Sequence, residues 1–443
     1  GVRLCVAAKA NAYGHGLPLL LEVLAEQADA LGVATPEEAV RLRHRGFRKP
    51  ILMFFSACAY GEGVELRDAL AQLIANDVWL TVVSPAEVLL VSEAARRVGA
   101  PGLVHVKVDT GMGRSGVPAA QAPALLAQVR AEPRLRLVGV YTHFAVAEAT
   151  DKAYTLGQFA RFQQAIAECG VRSAEWGNPK PQESHAEPAE KTEEREAAEK
   201  RESGGGIRNP KSQIPNPKSE ESHAEAAEKT EEREAAEKRE SGGEIRNPKP
   251  EIRNPTSLIL HAANSAAMID LPQTHLNMVR PGIAVYGYQP SDEMHVRLPL
   301  QPCLRLTGRL MQVRDVPAGS RCGYGLRYTF TRPSRVGLVP VGYGDGYLRS
   351  LSDKAVMRLR GQLVPTRGTI SMDQTIVDLT GVPSAAVGDV VEIISPDPGD
   401  PHSVEGLARL AGTIPYEITC RLGDRVRRKL VASFATGGTD NAG

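Results

Sequence analysis

The chain has 443 residues, enough for two domains, and its 42% apolar and 24% charged residues fit a globular protein with a buried core. Its 53 basic and 52 acidic residues leave a net charge of +1, so no global field draws it to nucleic acid or to a membrane surface. The six cysteines, Cys5, Cys58, Cys169, Cys303, Cys322 and Cys420, form no C-x-x-C pair, which argues against a zinc site or a disulfide scaffold and suits a reducing cytoplasm; no apolar run approaches the ~20 residues of a membrane span.

The sequence opens at Gly1 directly in a strand-like run, without Met, which suggests an N-terminal truncation. Six strand-then-helix units follow: "VRLCVAAK" before "GLPLLLEVLAEQ", "ALGVAT" before "PEEAVRLRHRG", "PILMFF" before "ELRDALAQLIAND", "VWLTVV" before "SPAEVLLVSEAARRVG", "GLVHVKVDTG" before "AAQAPALLAQVRAE", and "LRLVGVYTHFA" before "LGQFARFQQAIAECG". That alternation predicts a parallel sheet. "SLILHAANS" and "HLNMVRPGIAVYG", with "SAAMIDL" between them, raise the strand count to eight. This predicts a TIM-like (β/α)8 barrel over 1–292, although an open doubly wound sheet shares the local pattern.

Between residues 176 and 255 the composition changes. "ESHAEPAEKTEEREAAEKRESGGGIRNP" begins at Glu183 and recurs almost verbatim from Glu221. Glu, Lys, Arg, Ala, Asn and Pro dominate, with too little apolar surface to stack as a solenoid, so a mostly disordered insertion is predicted, with an interaction tether as the alternative. It falls in a helix-to-strand connection, on the barrel face opposite the strand C-termini where chemistry sits. Over 298–436, alternating Val-rich runs separated by Gly, Pro and Asp predict a mainly antiparallel β domain, with one helix at "SVEGLARLAG" and a tail over 437–443.

Lys9 ends the first apolar strand, at the barrel end from which catalytic side chains come. On position alone it is most simply a solvated lysine; the functional alternative is a lysine of depressed pKa that forms a Schiff base with a carbonyl such as that of pyridoxal phosphate (PLP). Other strand ends converge on cationic or hydrogen-bonding groups: His105, Lys107, Asp109 and Arg114; His143; His261, Asn264 and Ser265; Arg280 and Gly282. Each histidine alone reads equally well as a satisfied core residue, but together the set suits an anionic ligand, with Gly282 and Ser265 fitted to a phosphate. The β domain adds Tyr324, Tyr343, Met372, Asp373 and Tyr416. A tyrosine there serves as acid or base only where cations lower its pKa from ~10.

In order, "AKANAYGHG", "KVDTGMGRSG", "YTHFA", "HAANSAA", "NMVRPGIAVYG", "CGYGLRY", "GYGDG", "TISMDQ" and "PYE" resemble the motifs of PLP-dependent alanine racemases, from Lys9 to about Glu417. The resemblance implies a barrel and a β domain in a cytoplasmic homodimer, each site borrowing groups from the other subunit. It implies Lys9 as the PLP lysine and one base, and Tyr324 of the second subunit as the opposing base. Arg114 and the Met372 amide would bind the substrate carboxylate. Arg280 would face the pyridine nitrogen, supported by His261. Tyr13, Ser265, Gly282, Ile283 and Tyr416 would hold the phosphate, with His143 also at the cofactor. Lys107, carbamylated in some members, would pair with Arg114; Tyr343 and Asp373 would support the site, and no metal is implied. The expected activity is interconversion of L- and D-alanine for peptidoglycan. The alternatives are a serine or broad-specificity racemase, a non-catalytic PLP-binding protein, and an inactive or partial gene product. Three departures stand out: no strand and helix precede the lysine strand, Thr369 stands where the family commonly has arginine, and the repeats are alien to the pattern.

Overall fold

The expected strand-and-helix alternation is present in the computed structural model, which describes residues 1–170 and 257–431. The strands are β1 (Arg3–Ala7), β2 (Ala30–Val33), β3 (Ile51–Ser56), β4 (Val78–Val82), β5 (Gly102–Asp109), a short β6 (Val117–Pro118), β7 (Leu135–Tyr141), β8 (Ile259–His261) and β9 (Met278–Val279). Apart from β6, which pairs only with β5, they run in parallel in the order β8-β7-β5-β4-β3-β2-β1-β9. Backbone bonds from Asn277 N–H to the Leu260 carbonyl (3.3 Å) and from Arg280 N–H to the Ala263 carbonyl (2.9 Å) join the two ends of that order. A barrel results, as expected, rather than an open sheet.

Closure explains the unbroken apolar runs, because a barrel strand is buried on both faces. Cys5, Ala30, Leu52, Trp79, Leu103, Val138, Ile259 and Met278, one from each strand of that eight-strand order, form a separate apolar cluster. Residues of the opposite parity, such as Val6, Leu31, Ile51, Leu80 and Val104, pack outward in the main core. That core is completed by the helices, among them α1 (Lys9–Tyr13), α2 (Leu17–Gln27), α3 (Pro36–His44), α4 (Gly63–Ala75), α5 (Pro85–Val98), α6 (Ala122–Ala131), α7 (Ala153–Ala167) and α8 (Ser265–Asp270). Their starts are written locally. Thr35 and Glu38 form a capping box ahead of α3, and Ser84 accepts the Glu87 N–H ahead of α5, with proline in the first turn of both helices.

Beyond the barrel, β10 (Leu306–Arg309), β11 (Gln312–Val316), β12 (Arg321–Cys322), β13 (Tyr328–Thr329), β14 (Ser334–Val339), β15 (Val356–Leu359), β16 (Gln362–Arg367), β17 (Thr375–Asp378) and β18 (Val390–Ile394) form the antiparallel domain. Seven of them are ordered β10-β18-β15-β16-β17-β14-β11, and β12 pairs with β13. Because β10 and β11 are consecutive in the chain yet sit at opposite ends of that order, one extended segment pairs with both edges and curls the sheet. The predicted helix near the end forms as α9 (Val404–Ala411); α10 (Pro415–Cys420), over "PYEITC", was not expected as a helix. The repeat-bearing stretch 176–255 and the tail 437–443 lie outside the described residues. Among the described residues no helix is long and apolar enough to cross a membrane.

Candidate active site

The stretch that follows β1 does not continue as ordinary helix. Ala10, Asn11, Ala12 and Tyr13 all have φ between 52 and 55°, a left-handed turn built without glycine, before Gly14 at φ 81°. L-residues adopt it at a cost of about 1–2 kcal/mol each, so its polar groups must be firmly bound. They are: Glu38, the capping-box residue, accepts the Ala10 N–H at 2.7 Å, and the Asn11 side chain accepts the Leu17 N–H at 2.8 Å. The turn sends Lys9 and Tyr13 to different parts of one barrel mouth.

Lys9 is partly buried with its ammonium 5.8 Å from the Phe54 ring centre, and burial, then the Arg114 charge, lower its pKa. Lys107 lies in the same field and is brought down to about 8 by burial and by Arg114 and Arg280. An amine held in this way reaches its neutral, nucleophilic form nearer neutral pH than a surface lysine does.

Tyr13, buried, stacks on Tyr286 at 5.2 Å and lies 5.9 Å from the ring of Tyr416. Its hydroxyl stands over Gly282, where a Cβ would come within 2.4 Å of it. The Ser265 hydroxyl accepts the Gly282 N–H at 2.8 Å and approaches the Ala284 N–H at 3.4 Å. Tyr13, Ser265, Gly282, Ile283 and Tyr416 therefore come together: two phenols, one alcohol and a stretch of backbone opened by a glycine.

Arg280 is buried at the end of β9. Its guanidinium donates to His261 Nδ1 (2.8 Å), to the Thr142 carbonyl (2.7 Å), to the Ala262 carbonyl (3.0 Å) and to His143 Nδ1 (3.3 Å). Arginine only donates, so His261 Nδ1 must accept, and the proton on its Nε2 is given to His105 Nδ1 at 3.0 Å. All three rings are then neutral. Burial and the Arg280 charge push His105 down to about 3 and hold His261 and His143 well below the ordinary range. Tyr141 stacks flat on His261 (4.7 Å, 10°), and its face receives Arg280 at 5.1 Å and Lys107 at 5.8 Å. The cation is thus fixed by carbonyls, imidazoles and a ring, and burial lowers its own pKa only to about 10.

Tyr324, Tyr343, Met372 and Asp373 form a second group, on the β domain. The Met372 carbonyl accepts the Gly344 N–H at 2.8 Å, the Ser371 carbonyl accepts the Tyr343 N–H at 3.1 Å, and the Tyr324 carbonyl accepts the Thr369 hydroxyl at 2.9 Å. Asp373 pairs with Arg425 at 2.7 Å. In the single chain Tyr324 is 74% exposed and Met372 51% exposed. Of potential metal ligands, Glu392, Asp400 and His402 lie together, but Arg305 and Arg358 meet those carboxylates.

Residues 1–180 and 221–290 match the sequence profile of the alanine racemase N-terminal domain, and residues 303–430 match that of the C-terminal domain. The chain belongs to the alanine racemase family. Its similarity to the alanine racemase of Desulfovibrio desulfuricans is 35% identity over 432 residues, covering 97% of this chain and 92% of that protein. That of Methanococcus maripaludis is 31% identical over 423 residues, covering 95% and 89%. Among solved structures, the alanine racemase of Streptomyces coelicolor A3(2) superposes with a TM-score of 0.70 at 29% identity, covering 98% of this chain and 92% of that one. The Bacillus anthracis enzyme with bound L-Ala-P gives 0.68 at 25%, covering 96% and 87%. The alanine racemases are PLP-dependent isomerases, and the barrel with its curled β domain is the fold this chain shares with them.

Several residues that build the site escaped the sequence reading. Arg428 donates to the carbonyls of Gly14 (2.8 Å), Leu422 (2.7 Å), Val426 (3.0 Å) and Gly423 (3.1 Å), tying the end of the β domain to the lysine turn. No local pattern marks a bond that spans nearly the whole chain. Glu38 carried a usable signal, the T-x-x-E capping box, but its further bond to Ala10 did not. Tyr141 and Tyr286 lie within the strand candidates "LRLVGVYTHFA" and "HLNMVRPGIAVYG", and nothing in those runs marks their ring contacts.

Proposed function

We propose that the chain is a PLP-dependent racemase that interconverts L- and D-alanine, and that it works as a homodimer. The observation that carries the reading is the convergence at one barrel mouth of an amine of lowered pKa, Lys9, and a hydroxyl-rich cradle around Gly282, with the buried Arg280 between neutral imidazoles.

The donor set fits PLP. Tyr13, Tyr416, Ser265 and the Gly282–Ile283 backbone would hold the phosphate, Arg280 the pyridine nitrogen, and Lys9 the aldehyde carbon, with His143 beside Arg280. When bound, the cofactor supplies an electron-withdrawing ring that acidifies the substrate's α-hydrogen. Toward that ring Arg280 would donate a hydrogen bond and keep its proton, since its pKa stays near 10. A ring so held would be a weaker electron sink, which disfavours side reactions such as transamination.

Racemisation needs a base on each face of the α-carbon, one removing a proton and the other returning one from behind. Lys9 Nζ serves one face. Tyr324, from a second copy of the chain, serves the other. Tyr324 and Met372 are exposed in the single chain, which suits residues that a second subunit would cover. Arg114 binds the substrate carboxylate, joined by the Met372 amide of the second subunit, and Lys107 supports Arg114. Tyr343 and Asp373 shape the β-domain loops that present Met372. The D-alanine would feed peptidoglycan synthesis in the cytoplasm.

The test is D-alanine formation from L-alanine by the PLP-loaded protein, with L-serine in parallel. Wild type is expected to racemise alanine faster than serine. Lys9→Ala should lose the visible absorbance of bound PLP together with turnover, while Tyr324→Phe should keep the absorbance and lose turnover by about 10²-fold or more. Activity and absorbance surviving in Lys9→Ala would rule the assignment out.

A further inference from the structure

Helix α7 lies outside the barrel, yet three of its side chains reach into the loops that carry the site. Tyr154, Gln158 and Arg161 stand at i, i+4 and i+7 and so share one helical face. The Tyr154 hydroxyl donates to the Gly111 carbonyl at 2.6 Å, and Arg161 Nε donates to the Thr110 carbonyl at 2.7 Å. Gln158, fully buried, accepts the Ala145 N–H at 2.9 Å and donates to the His143 carbonyl at 3.3 Å.

These contacts close a loop already held from its other side. Asp109 Oδ1 accepts the N–H groups of Gly111 (2.9 Å), Met112 (2.9 Å) and Gly113 (3.2 Å), so the amides face Asp109 while the first two carbonyls face α7. Gly111 sits so close to the clamp that a Cβ there would lie 2.8 Å from the Tyr154 hydroxyl and 3.1 Å from an Arg161 nitrogen. Arg114 is the next residue out. The Thr110 and Thr142 hydroxyls meet at 2.8 Å, and the Thr142 carbonyl accepts from Arg280, so the clamp is continuous with the cofactor-facing guanidinium.

We infer that this face of α7 positions Arg114 for the substrate carboxylate, with Tyr154 and Arg161 as positioning residues that touch neither substrate nor cofactor. The inference rests on the proposed role of Arg114. Without the clamp the loop samples more conformations, and a carboxylate must order it on binding.

The experiment compares PLP-loaded wild type with Tyr154→Phe, Arg161→Met and Arg161→Lys, measuring KM and kcat for L-alanine, the absorbance of bound PLP, and the binding of propionate. Propionate keeps the carboxylate and lacks the amine, so its affinity reads Arg114 without turnover. The expected result is KM and the propionate dissociation constant rising together, about three- to tenfold in Tyr154→Phe and Arg161→Met. PLP absorbance should be unchanged, and Arg161→Lys should recover part of the loss. Unchanged KM and propionate affinity in folded Tyr154→Phe, or a fall in stability alone, would overturn the inference. Tyr154 is half exposed and its substitution removes a single oxygen, so this variant keeps the test available if changes at Arg161 prevent folding. If wild type binds propionate but makes no D-alanine, the racemase reading fails, and the propionate comparison still decides the clamp.

Discussion

At Lys9 the charge is opposed first by burial and then by Arg114, and this sets which protonation state the amine prefers. Replacing Arg114 with Met removes a cation and leaves burial in place, so the Lys9 pKa should rise toward its ordinary value. In PLP-free protein, acylation of Lys9 requires the neutral amine, and its pH midpoint should therefore move upward in Arg114→Met. Peptide mass mapping of Lys9 acylation against pH measures this, and a midpoint that stayed or fell would show that Arg114 does not act on Lys9. Arg280 presents the complementary case, a cation kept charged in a buried place because carbonyls and neutral imidazoles take up its donors. Lys9 and Arg280 lie in one mouth, yet one is tuned toward the neutral form and the other stays charged.

At the scale of elements, the left-handed turn after Lys9 is held by its neighbours. Helix α10 lies against it so closely that a Cβ on Gly14 would fall 1.9 Å from the Thr419 carbonyl, at a φ of 81° that already disfavours a side chain. Gly14→Ala should push α10, and Tyr416 with it, off the turn. The expected cost is about 2–4 kcal/mol of stability together with weakened PLP affinity, measured by urea unfolding and PLP titration. Unchanged stability would mean that the turn does not depend on this contact. The same elements show what the sequence could disclose. Six strand-then-helix units were legible because each carried its own periodicity, and the Ser265 helix because it was short but apolar. The residues of α10, PYEITC, carry no comparable apolar run, and they begin with a proline that reads equally well as a loop. The left-handed turn was not legible, since alanine and tyrosine carry no preference for positive φ. Neutral histidines at the strand ends could not be told from core histidines until Arg280 was seen to donate to two of them.

In the whole molecule the candidate residues come from two regions of the chain: Lys9, Arg280 and the Gly282 cradle except Tyr416 belong to the barrel, and Tyr416, Tyr324 and Met372 to the β domain. The motifs showed that both groups exist, but no sequence pattern says whether one chain or two supplies a given site. Bonds such as Arg428 to Gly14 tie the end of the β domain to the barrel's lysine turn, so a second subunit's Tyr324 would arrive on a β domain braced by its own barrel. The most direct test of a shared site is complementation. Lys9→Ala and Tyr324→Phe are each expected to be inactive alone, but a dimer holding one of each has one site with an intact lysine and an intact tyrosine. Co-expressed in equal amounts and assayed for D-alanine formation, they should recover about a quarter of the wild-type rate, since half the dimers are mixed and each mixed dimer has one working site of two. Mixed dimers that form, bind PLP and yet remain as inactive as either variant alone would contradict the account.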